Sequence, residues 1–157
     1  MIKIKTLNTD ISIHVLRKLL EINHNRIDVY KTAFNGTRYK DLKTFFTGCI
    51  KTSQKCNVEL ENEVQQLDGD ILNNFSVTGK IFTFWMIINV ALSNYGRKRI
   101  LDYCKYGEEI VKKAYHKVLQ KKNSKNITIK QIKIITKQQG LMESDHKNVS
   151  YLRDNSV

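Results

Sequence analysis

Along most of the chain apolar side chains recur at steps of three and four, and no segment of useful length alternates with period two, which predicts helices and no strands. The first helix is expected to start near the capping candidates Asn8, Thr9 or Asp10 and run to Phe34, before Asn35-Gly36. Leu16, Leu20, Asn23, Ile27, Tyr30 and Phe34 share one face of it, whereas Glu21 and Asp28 fall away from that face and His24 lies at its margin. The clearest pattern occupies residues 41–67, where Leu42, Phe46, Cys49, Ser53, Cys56, Leu60, Glu63 and Leu67 follow one another at steps of four and three. Asp68-Gly69-Asp70 closes that run, and Ser76 is placed to cap a third helix over 77–94 that is apolar almost all round.

After a turn at Tyr95-Gly96, a fourth helix carries Ile100, Cys104, Gly107, Val111, Ala114 and Val118 on one face and reaches about residue 122. Thr128 with Gln131 then reads as a capping box for a last helix over about 128–154. Gly140 and several polar residues weaken its apolar stripe, so it is expected on the outside of a bundle formed by residues 8–122. The predicted fold is all-α, an antiparallel four-helix bundle with an additional C-terminal helix, in one domain spanning 1–157.

Composition supports this picture. The chain contains no proline, in keeping with long helices and short loops. The N-terminus lacks the apolar run of a signal peptide, and no stretch of about 18 apolar residues occurs, so a cytoplasmic protein without membrane contact is expected. Cys49, Cys56 and Cys104 sit inside helical patterns with neither a CxxC pair nor a matching histidine spacing, and read as reduced, buried thiols.

The strings LLEINHNRIDVYKTA (19–33), VELENEVQQLDGD (58–70), SVTGKIFTFWMIINVAL (76–92), DYCKYGEEIVKKAYHKVL (102–119) and QQGLMESDHKNVSYLRD (138–154) carry a resemblance. Taken in order, they resemble the bacterial ferritin-like four-helix-bundle family known as domain of unknown function 2383. That resemblance implies a ferritin-like fold, an intracellular location and no assigned reaction. A stress-response or metal-handling role is inferred for relatives by analogy of fold, and fold alone does not establish function.

Di-iron sites in ferritin-like bundles draw carboxylates from four helices and include two Glu-x-x-His pairs. In the first helix the Glu-x-x-His spacing falls on Glu21 with His24, and Glu21 lies on the solvent side of that helix. Residues 77–94 hold neither an acid nor a histidine. The remaining candidate metal ligands are Glu59, Glu63 and Glu108; for Glu63 and Glu108 a carboxylate satisfied by Tyr30, Tyr115 or a lysine is the better reading. No cofactor is expected, with iron as the alternative if those glutamates converge.

The formal charge of +12 is concentrated locally: residues 97–137 carry thirteen Lys or Arg against Asp102, Glu108 and Glu109. Lys98, Lys105 and Lys112 repeat every seven residues, and Lys121 and Lys122 continue the basic surface. Such a surface attracts polyanions or an acidic partner through a salt-sensitive field. Without interleaved aromatics or a helix-turn-helix spacing, no specific nucleic-acid binding is expected. The leading expectation is a non-catalytic bundle protein. A carboxylate bundle that binds iron and a basic module for nucleic acid or acidic partners stand beside it. Self-association is a further expectation, from the apolar surface of residues 77–94.

Overall fold

The computed structural model describes residues 2–70 and 96–156, with side chains from residue 8 onward. These residues form helices and no strand: α1 (Ile2–Gly36), α2 (Lys40–Gln66), α3 (Arg97–Leu119), the single turn α4 (Lys121–Ser124) and α5 (Ile129–Asp154). The helix expected over 77–94 lies outside the described residues. Among the described residues no helix is long and apolar enough to cross a membrane.

The helix boundaries follow local chemistry with two differences from expectation. α1 begins at Ile2, ahead of the capping candidates at 8–10, because nothing in residues 2–7 breaks a helix and a capping residue favours a start without enforcing one. α3 stops at Leu119, where Gln120 turns extended (φ −60°, ψ 140°), and α4 follows as a separate turn. α2 ends where Leu67 and Gly69 both donate their backbone N–H to the Val64 carbonyl. Asp68 rather than Gly69 takes the left-handed backbone (φ 57°). Gly69 is needed for space, since a Cβ there would sit 2.9 Å from Val64 and 3.1 Å from Ile13. The Thr128–Gln131 capping box starts α5 as expected.

Side-chain pairs fix the directions of the helices. Arg26 of α1 meets Ser53 of α2, and Tyr30 stacks on Phe46 with ring centroids 5.5 Å apart, so α1 and α2 form a hairpin. Tyr115 meets Gln138 and Asp102 meets Arg153, so α3 and α5 form a second one. The hairpins join through Asn23–Tyr115 and Arg26–Glu108 on one side and through Cys56–Gln138 and Glu63–Lys130 on the other.

Two apolar clusters fill the interior. One gathers Tyr30, Phe46, Ile100, Leu101, Cys104 and Val149. The other gathers Leu16, Leu20, Leu60, Val111, Ile135 and Met142. The helix α5 supplies buried residues to both, namely Ile135, Met142 and Val149 with no exposed surface, so it is not the outer helix expected from its weak stripe. Its seam mixes polar with apolar groups, Gln131, Ile135, Gln138, Met142 and Val149, because the surface it meets is itself polar at the centre.

Candidate functional site

Between the two apolar clusters lies a polar layer built around Arg26, whose side chain is only 2% exposed. A guanidinium has five N–H donors in a planar fork, and here each one finds an acceptor. Nε and Nη2 reach Glu108 Oε1 and Oε2, both at 3.0 Å, as a bidentate pair. Nη2 also donates to Asp145 Oδ2 at 2.8 Å, and Nη1 donates to the Cys49 carbonyl (3.0 Å) and to Ser53 Oγ (2.9 Å). The Tyr30 hydroxyl donates to Glu108 Oε1 at 2.5 Å, and Arg26 stands 5.5 Å from the centroid of the Tyr30 ring. One cation and two carboxylates, drawn from α1, α3 and α5 and braced by α2, thus form a compact cluster in the interior.

Burial alone would disfavour the Arg26 charge, but the Glu108 carboxylate, with Asp145 adding to it, more than reverses that and keeps the guanidinium protonated. Burial pushes the Tyr30 phenol well up, and the neighbouring Glu108 charge pushes the same way, so Tyr30 remains a donor.

A second network, built on two amides and a phenol, lies one turn along. Asn23 Nδ2 donates to the Tyr115 hydroxyl (2.8 Å) and to the Leu19 carbonyl (2.9 Å). The Tyr115 hydroxyl donates to Gln138 Oε1 at 2.8 Å, and Gln138 Nε2 donates to the Cys56 carbonyl (3.2 Å) and to Glu59 Oε1 (3.3 Å). Asn23 Oδ1 has no hydrogen-bond partner among the described residues. The three cysteines are free and buried. Burial raises the Cys49 and Cys104 thiols well above their ordinary value and Cys56 to about 11, so all three stay protonated and poorly nucleophilic near neutrality.

The three glutamates singled out from the sequence occupy different places. Glu108 is the acceptor of the Arg26 fork and of Tyr30, the partner expected for it. Glu63 is buried and lies 3.1 Å from Lys130 Nζ, the lysine pairing expected for it. Glu59, half-buried, accepts from Gln138. Glu108 stands at the level of Ser53, from which Glu59 and Glu63 lie roughly 9 and 15 Å along α2 at 1.5 Å per residue. They do not converge with Glu108, and among the described residues no three His, Cys, Asp or Glu side chains are grouped to hold a metal ion.

On the basic surface, Lys98, Lys121 and Lys122 are exposed, whereas Lys105 and Lys112 are half-buried. Lys98 lies in the first turn of α3 and Lys121 in α4 just beyond its far end, so the length of a 23-residue helix, about 35 Å, separates the two ends of this surface. His14 and His116 are exposed, while His24 faces Glu61 at 4.0 Å and His146 faces Glu109 at 2.5 Å, more engaged than isolated surface histidines would be.

Sequence reasoning missed Arg26, Asp145 and Gln138. Their signal was positional: Arg26 sits between Asn23 and Tyr30 at steps of three and four on the core face, and Asp145 stands in the same relation to Met142 and Val149.

No curated protein matches the chain. A family model described as Domain of unknown function (DUF2383) matches residues 12–121, which takes in Arg26 and Glu108 but ends before Gln138 and Asp145. With most of its length matched in this way, the chain belongs to the DUF2383 family.

Proposed function

We propose that this protein is a non-catalytic, intracellular helical-bundle protein of ferritin-like architecture, in which α1, α2, α3 and α5 form an antiparallel four-helix arrangement. At the level where carboxylate bundles hold metal ions, its own guanidinium takes the place of the cation. The observation that carries this reading is the Arg26 cluster: the carboxylates of Glu108 and Asp145 that face the interior are bound by the same side chain. A carboxylate already engaged by a bidentate arginine and a tyrosine hydroxyl offers a metal ion little unless Arg26 withdraws, and withdrawal would bury an unpaired charge. The side chains of Asn23, Tyr115 and Gln138 are amides and a phenol that bond to one another, and the thiols are protonated, so neither group supplies a nucleophile or a general base.

Elemental analysis of protein purified without chelator, followed by aerobic titration with ferrous iron, tests the reading. The expected result is no stoichiometric iron. One or two irons per chain, lost in Glu108→Gln, would establish the iron-binding carboxylate bundle instead.

A further inference from the structure

A groove with an apolar floor and a cationic rim lies between the first half of α1 and the end of α3. It encloses about 450 Å³, within the range of small-molecule sites, which runs from about 300 to 1,000 Å³. Ile11, Val15, Leu19, Ile22, Ala114 and Val118 supply an apolar floor. Lys18, Lys117 and Lys122 stand on its rim, all exposed, with His14 beside them and Glu21 as the one carboxylate in the lining. None of the three lysines makes an ion pair among the described residues. Toward the other end, Asn25 is 4% exposed, and its amide has no hydrogen-bond partner among the described residues. The antiparallel register that sets Asn23 against Tyr115 brings Lys117 close to the level of Lys18, which stands midway along the α1 side of the groove, and Lys122 follows just beyond the end of α3.

We propose that this groove binds a single-chain amphiphilic anion, a medium-chain carboxylate in the simplest case. The alkyl chain lies on the floor, the carboxylate sits among Lys18, Lys117 and Lys122, and the Asn25 amide is open to a further polar group of the ligand. An apolar floor selects for a tail, and an unpaired excess of positive charge selects the sign of its head. The site is separate from the Arg26 cluster and does not depend on whether the bundle is catalytic.

Isothermal titration calorimetry of the full chain with decanoate, and with decyltrimethylammonium as the same tail bearing the opposite charge, tests the proposal. Decanoate is expected to bind with one-to-one stoichiometry and the cation is not. Lys18→Glu combined with Lys117→Glu is expected to weaken decanoate roughly tenfold or more through loss of charge complementarity. Val118→Trp, which fills the floor, is also expected to weaken decanoate, and helix content by circular dichroism serves as the control for folding. Equal binding of the two amphiphiles, or undiminished decanoate binding by the double lysine variant, would overturn the proposal. So would binding to anionic phospholipid vesicles without any binding of free decanoate.

Discussion

Tyr115 shows what a single buried hydroxyl does in this interior. It accepts from Asn23 and donates to Gln138, tying α1, α3 and α5 together. Tyr115→Phe keeps the ring but removes one of the two acceptors of the Asn23 amide and the donor to Gln138 Oε1, and is expected to cost about 1–3 kcal/mol of stability, measured as a shift in the urea unfolding curve. The buried thiols and phenols predict the alkaline side of the stability profile. Burial first, and the Glu59 charge second, raise the Cys56 thiol from 9.0 to about 11, so the native state keeps a proton that the unfolded chain releases. Stability from this group is complete below about pH 9 and declines as pH rises through about 11, by at most about 1.4 kcal/mol per pH unit. Tyr30 and Tyr115, raised chiefly by burial, add a decline of the same sign above pH 10. Urea midpoints at pH 7.5 and 10.5 check this, and an unchanged or higher midpoint at pH 10.5 would contradict it.

At the scale of elements, helices are held by their seams and weakened where glycine interrupts them. Gly140 in α5 and Gly48 in α2 are exposed, and a Cβ at either would meet nothing within 4 Å. Gly140→Ala and Gly48→Ala are each expected to stabilise by about 0.5–1 kcal/mol, seen as a raised melting temperature. The long helices were legible because Leu42, Phe46, Cys49, Cys56 and Leu60 repeat at helical spacing, and because Thr128 with Gln131 marks a start without ambiguity. The location of α5 was not legible. An apolar stripe does not reveal that Gln131 and Gln138 are buried and that Asp145 is drawn inward by Arg26. A polar seam is compatible with burial only if its partner is polar too, and that information lies on other helices.

For the molecule as a whole, the described interior consists of two apolar clusters with a charged layer between them. Glu63 and Glu108 were legible as seam positions satisfied by a lysine or a tyrosine, but the Arg26 fork on Glu108 was not, since that arginine lies 82 positions away in sequence. Removing one partner of a buried ion pair leaves the other uncompensated, a loss of roughly 3–5 kcal/mol, whereas replacing both with apolar groups of similar size is often neutral or better. A carboxylate kept for chemistry behaves differently, because functional groups are commonly held at a cost to stability. The most direct measurement is therefore a double-mutant cycle by urea denaturation across Arg26→Met and Glu108→Leu. The account predicts a loss of roughly 3–5 kcal/mol for Arg26→Met, a clear loss for Glu108→Leu, and a double variant that loses at least about 2 kcal/mol less than their sum. A neutral or stabilising Glu108→Leu, or losses that add within about 0.5 kcal/mol, would contradict it.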